Sequence, residues 1–389
     1  MAFRGILILI LLVFVAHRIS AKSIVCYYAS WSAWRPGRAE FQVEYINPHL
    51  CTHLLYSFFG VDDTGRVTVL DPWLDLDDGL GNIRRFNELR NINPSLKTLA
   101  SIGGASVDSA LFSTIAASPT LRTTFARNVR EFCQLHRFDG ADIDWEYPGS
   151  HEGDNVFYDK ANFVLMLAEL ARELHGHGLL LSAAVGASEY IAASAYDIPG
   201  VAFYSDFINL MAYDFNGAWN DWTGHNAPLY AGPSDQNDFQ RTLNVNHSVN
   251  YWISQGAPAA KLMLGVPTYG RSFTLANAAQ NSLRAPAIGP GYEGPYTQNP
   301  GYLAYLEVCG DFLPGTGWTR VWEPVQRIPY GFFGNQWIGY DDQESFAEKC
   351  RFINAYNLGG AMLWAIDMDD FAGYCGTNFG LLQVLNNCL

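Results

Sequence analysis

Short apolar runs rich in β-branched and aromatic residues recur along the chain, at Ile24–Tyr28, His53–Phe59, Thr98–Gly103, Gly140–Tyr147, Leu179–Val185, Phe207–Tyr213, Leu262–Pro267 and Gly360–Ala365. Longer amphipathic stretches lie between many of them, clearest at Leu121–His136 and Ala161–His175. Strands that are apolar nearly throughout belong to a sheet covered on both faces. Strand and helix alternating through eight such units predict a parallel (β/α)8 barrel. The gap between Pro267 and Gly360 is too long for a single connecting helix. Rich in Gly, Pro, Tyr and Trp, with apolar runs at Gly301–Val308 and Gly331–Tyr340, it predicts a small α+β insertion over Thr268–Gly339 after the seventh strand. A helix at Glu344–Tyr356 then returns the chain to strand eight.

Composition narrows the class. With 389 residues, 49% hydrophobic and 16% charged, the chain can bury a large core and has no disordered signature. The N-terminus carries one positive charge before the apolar run Gly5–Ala16, then small residues to Ala21. That run is too short for a bilayer, so Met1–Ala21 reads as a signal peptide and residues 22–389 as a secreted, soluble protein. Losing Arg4 and Arg18 with it would take the net charge from −14 to −16. So acidic a protein repels nucleic acid and anionic membranes, which points to a neutral or cationic substrate.

Seven cysteines in a secreted chain imply disulfides, and the odd number leaves at least one thiol unpaired within the chain. Cys133, within an apolar-periodic stretch, reads as an inert buried one. No C-x-x-C pair supports a zinc site. Asn246-His247-Ser248 is the one Asn-x-Ser/Thr sequon and a candidate glycan acceptor.

The most informative segment is Asp139-Gly-Ala-Asp142-Ile-Asp144-Trp-Glu146-Tyr-Pro148. Side chains alternate faces along a strand, so Asp142, Asp144 and Glu146 share a face, which in a parallel barrel looks into the lumen. Three carboxylates there repel one another unless protons are shared and at least one pKa is raised. A raised carboxyl is what a general acid needs near neutral pH. Taken alone, the segment leaves open a divalent-metal site or a satisfied structural cluster.

The pattern Asp-x-x-Asp-x-Asp-x-Glu over Asp139–Glu146, followed by Tyr-Pro, resembles the signature of glycoside hydrolase family 18, the chitinases. The resemblance continues in Ser101-Ile-Gly103-Gly104, Met211-Ala-Tyr-Asp-Phe215, Gly224-His-Asn226, Gly265-Val-Pro-Thr-Tyr-Gly-Arg271, Trp337-Ile-Gly-Tyr-Asp341 and Gly360-Ala-Met-Leu-Trp364. It spans essentially all of residues 22–389 and is nearest to the secreted animal chitinases with the α+β insertion. It implies Glu146 as general acid, Asp144 as the group that orients the substrate acetamide, and Asp142 as its proton-sharing partner. It also implies a substrate-assisted reaction in which the acetamide oxygen attacks the anomeric carbon. Tyr213 and Asp214 would bond the acetamide and the reacting sugar.

Sugar rings stack their C–H faces on aromatic side chains. By resemblance Trp364 is the floor under the reacting sugar, Tyr27 and Phe58 line the cleft, Trp31 lies on the non-reducing side and Trp219 on the leaving-group side. Tyr269 and Arg271 would be further sugar contacts, and Gly103, Gly104 and Met211 belong to the same motifs. Tyr147 stays open between a sugar contact and a structural role. Cys26–Cys51 and Cys309–Cys375 are the implied disulfides, with Cys350 and Cys388 unassigned. Ala105 departs from the pattern, which usually has a tryptophan there, and this puts chain-length preference in question. No metal or cofactor is implied; the expected partner is chitin or a chitooligosaccharide, bound by a monomer. Two other readings are a lectin-like family member, which would lack the acid at 146, and an enzyme of N-glycan cores, which generally lacks the insertion.

Overall fold

The computed structural model describes residues 22–151, 155–313 and 317–389; the expected leader, Met1–Ala21, lies outside them. Eight parallel strands form a closed barrel: β1 (Ser23–Ala29), β2 (His53–Val61), β3 (Lys97–Gly103), β4 (Gly140–Asp144), β5 (Leu180–Gly186), β6 (Phe207–Met211), β7 (Leu262–Pro267) and β8 (Gly360–Trp364). Each pairs with the next, and β1 closes the ring by pairing with both β2 and β8. A short strand Val67–Val69 adds antiparallel to β2.

The helices form for legible local reasons. Ser118 caps α3 (Pro119–His136), its side chain accepting from the Leu121 N–H with proline in the first turn, the arrangement that satisfies an orphan donor at a helix start. This helix follows α1 (Asn82–Glu88) and α2 (Ser109–Ala117), the latter capped by Asp108. Phe125, Ala126, Val129 and Cys133 form its buried stripe. After β4, α4 (Asp159–His175) buries Phe163, Met166, Leu167, Leu170 and Leu174, again at helical spacing.

Two expected strands end early. β4 stops at Asp144 rather than Tyr147, and β6 at Met211 rather than Tyr213. Both tails leave the ladder at the C-terminal mouth of the barrel, where loops rather than sheet bonds hold the chain. The helix expected at 344–356 is Gln343–Ala355. Between β7 and β8 the chain builds a six-stranded antiparallel sheet, with Tyr269–Leu275 at its centre bonded to Ala287–Pro290, Tyr302–Ala304 and Gln336–Gly339.

Cys26–Cys51 and Cys309–Cys375 are bonded, and so are Cys350 and Cys388, which ties the helix Gln343–Ala355 to the last helix, Gly380–Cys388. Cys133 is free and buried among the described residues. No helix among them is long and apolar enough to cross a membrane.

Candidate active site

The site starts from register. Ser101 on β3, Asp142 on β4 and Ser182 on β5 are successive cross-strand partners, so all three side chains point into the lumen at one level. Asp142 is fully buried and accepts four hydrogen bonds: from Tyr27 Oη (2.7 Å) and Ser101 Oγ (2.8 Å) at Oδ2, and from Ser182 Oγ (2.7 Å) and Asn209 Nδ2 (3.1 Å) at Oδ1. Burial raises its pKa, and the four bonds oppose that rise. Ser182 and Asn209 were missed in the sequence. Their signal was a lone polar residue in an otherwise apolar strand, which a parallel barrel tolerates only where a partner waits in the lumen.

Asp144 is one lumen position further up, 3% exposed, and its Oδ1 is buried with no hydrogen-bond partner among the described residues. The resemblance implied a proton shared between Asp142 and Asp144. In this structure no hydrogen bond joins them: Asp142 is saturated by neutral donors, and the link to Asp144 is electrostatic. The Asp144 carboxyl is held far above the usual range, first by burial, then by the charges of Glu146 and Asp142. Glu146 lies two residues past the end of β4 and is half-buried. Its carboxyl is pushed up to about 7, chiefly by burial, with Asp214 adding to the rise and the bond from Tyr147 opposing it. The sequence argued for a raised carboxyl from mutual repulsion; desolvation is the larger cause.

Two glycines make room for this arrangement. Gly103 (φ +120°) and Gly104 (φ +86°) hold left-handed conformations, and a Cβ at Gly103 would stand 2.0 Å from the Asp144 carbonyl oxygen. The Gly104 N–H donates to that same oxygen at 2.8 Å, and a Cβ there would meet the Phe58 ring at 2.6 Å. Here these glycines act through close backbone approach.

Above the carboxylates is a pocket of about 250 Å³, walled by Phe58, Ala105, Asp144, Glu146, Tyr147, Met211, Tyr213, Asp214, Tyr269, Arg271, Tyr302 and Trp364. Tyr147 thus reaches the wall. Trp364, ending β8, stacks on Phe58 (centroids 5.5 Å) and tilts against Tyr27 (5.3 Å). Trp31, 45% exposed, stacks on Phe58 at 6.0 Å and flanks an adjoining cavity of about 490 Å³. Trp219, 59% exposed, covers the Arg271 guanidinium at 5.1 Å. Arg271 donates to both carboxylate oxygens of Asp214, at 2.7 and 2.8 Å, and Tyr269 Oη donates to Asp214 at 2.8 Å. Asp214 holds a left-handed backbone (φ 57°), which Asp tolerates better than most residues. Tyr213 Oη lies 3.7 Å from the Met362 sulfur, and burial keeps the phenol protonated.

Tyr302 escaped the sequence reading. It comes from the insertion sheet, stacks on Tyr269 at 4.5 Å, and lines both cavities. Outside the site, Asp139 lies at the opposite end of β4. Asn246 sits half-buried in the first turn of the helix Val245–Ser254, its Oδ1 accepting from Tyr356 Oη at 2.8 Å.

The family model for glycosyl hydrolases family 18 matches residues 23–369. The chain belongs to that family. An endochitinase of Manduca sexta is 38% identical over 94% of the chain, which spans 67% of that relative's length. The crystal structure of an Ostrinia furnacalis Group IV chitinase in complex with allosamidin superposes with a TM-score of 0.92 at 41% identity, covering 94% of this chain and 98% of that one. Human YKL-39, described as a pseudo-chitinase with retained chitooligosaccharide binding, gives 0.87 at 38% identity, covering 95% and 99%.

Proposed function

We propose that this family 18 enzyme is a secreted chitinase that hydrolyses the β-1,4 linkages of N-acetylglucosamine polymers with retention of configuration. The observation that carries this reading is Glu146, a carboxyl pushed up to about 7 at the wall of a pocket that Asp144 also lines, its Oδ1 buried without a hydrogen-bond partner among the described residues. At neutral pH a large fraction of such a group keeps the proton a leaving sugar oxygen requires. Glu146 donates that proton as the glycosidic bond breaks. The substrate acetamide oxygen attacks the anomeric carbon, held by Asp144 and Tyr213, and forms a cyclic intermediate. The Glu146 carboxylate then takes a proton from the water that opens it, which regenerates the acid and retains the configuration. Asp142, one lumen position below, helps through its charge to keep the proton on Asp144, while Trp364 and Phe58 receive the apolar sugar face.

The relatives support the substrate class, since the Manduca sexta protein is an endochitinase. The YKL-39 likeness brings the lectin-like reading with it; the intact Glu146, supported by Asp142 and Asp144, favours turnover over binding alone. The leader Met1–Ala21, a glycan on Asn246 and the insertion 268–339 as one wall of the cleft complete the proposal.

The deciding experiment incubates the purified protein with N-acetylchitooligosaccharides, resolving product lengths and following anomeric protons by NMR. Cleavage with initial retention is expected, together with inertness towards cellulose and fully deacetylated chitosan and no loss of rate in EDTA. Tight binding without cleavage would establish the lectin-like reading. An inverted product would overturn the mechanism.

A further inference from the structure

Because β4 ends at Asp144, no ladder bond fixes Trp145 and Glu146. What fastens the turn is a clamp from two helices on the barrel's outer layer. On α2, Ser109 and Ser113 are one helical turn apart and lie on one face. Trp145, fully buried, donates its indole N–H to Ser109 Oγ at 2.7 Å, and Ser109 Oγ donates to the Tyr147 carbonyl at 3.0 Å. One hydroxyl therefore bonds the residues immediately before and after the catalytic acid. The Trp145 ring is pinned between Phe112 of α2 (centroids 5.7 Å) and Phe163 of α4 (5.6 Å).

The second half of the clamp is Asp159, the first residue of α4 and 0% exposed. Its carboxylate accepts from Ser113 Oγ at 2.6 Å, from the Gly149 N–H at 3.1 Å and from His151 Nε2 at 2.8 Å. Those donors belong to α2 and to two points on the loop that runs on from Glu146. We propose that Asp159 is a positioning residue for catalysis: by tying α2, α4 and the 149–151 segment together, it holds the Glu146 carboxyl at the angle from which its proton reaches the scissile oxygen. A carboxylate suits the post because it alone among small side chains accepts three bonds at once with full strength. The inference rests on Glu146 being the acid.

The test measures kcat and KM on N-acetylchitotetraose for Asp159→Ala, Asp159→Asn and His151→Phe, with active sites counted by titration with allosamidin. A purely structural role lowers the number of titratable sites and leaves turnover per site alone. Positioning lowers turnover per site, since displacing a catalytic group by about 1 Å costs on the order of a hundredfold. The expected result is a loss of roughly ten- to a hundredfold in kcat per titrated site for Asp159→Ala, with KM within about threefold, and partial recovery in Asp159→Asn, whose carbonyl oxygen still serves some of the donors. Turnover per site within about twofold of wild type in Asp159→Ala overturns the proposal. If that variant does not fold, the same twofold result in both Asp159→Asn and His151→Phe overturns it. Glu146→Gln in parallel separates the two claims: wild-type turnover there would remove the reading on which the clamp depends, whatever the Asp159 variants do.

Discussion

At the N-terminal end of β4, Asp139 meets Arg90 at 2.9 Å, Lys97 at 3.6 Å and the Thr98 N–H at 2.9 Å. Three residues further along the chain, Asp142 meets only uncharged donors, and neither Asp144 nor Glu146 has a cation within salt-bridge distance among the described residues. The groove beside Asp139, about 680 Å³, is larger than the pocket of about 250 Å³ over Glu146. Volume is therefore a poor guide to chemistry here. The charge at the lower end is balanced where it stands, and that contributes to holding the barrel closed. At the upper end burial without a counter-ion leaves protons on carboxyls, which costs stability and creates an acid.

The sharpest way to break this contrast is Glu146→Gln, which keeps shape and removes the proton donor. We expect kcat to fall by roughly a thousandfold with oligosaccharide binding retained; a variant keeping a tenth of the wild-type rate would refute the assignment. Asp144→Asn should follow, at about a hundredfold, because a neutral amide cannot take up charge as the acetamide becomes the nucleophile.

Turnover starts from protonated Glu146, so the rate should fall as pH rises through about 7. Asp214 raises that pKa. Asp214→Asn should move the basic limb of the kcat profile to lower pH by a fraction of a unit, since it removes the negative charge and unpairs Arg271. An unmoved limb would mean that burial alone sets the acid.

The smallest effects are in stability, and their signs oppose. A carboxyl with a raised folded-state pKa contributes stability that is complete below its unfolded value and lost as pH rises through the folded one. Glu146→Gln should therefore melt above wild type at pH 8 and level with it at pH 4. Asp139→Asn leaves Arg90 and Lys97 without their counter-charge, and should lower the melting temperature by about 1–3 °C with kcat within about twofold. Calorimetry at the two pH values checks both, and equal signs for the two variants would erase the distinction between the ends of β4.

By itself the sequence determined the alternation of apolar runs and amphipathic helices, hence the barrel, and the period-two spacing that puts Asp142 and Asp144 on one face. These are local regularities, set by backbone geometry within a few residues. It also marked the long break after β7. Only the tertiary structure decided what those acids meet. Tyr27, Ser182 and Asn209 reach Asp142 across 115, 40 and 67 residues, and Tyr302 arrives from the insertion sheet. The pairing of Cys350 with Cys388 and the early ends of β4 and β6 were settled the same way. Spacing along a chain reports which face a side chain takes; desolvation, partner identity and pKa depend on groups brought together only when the ring of strands closes.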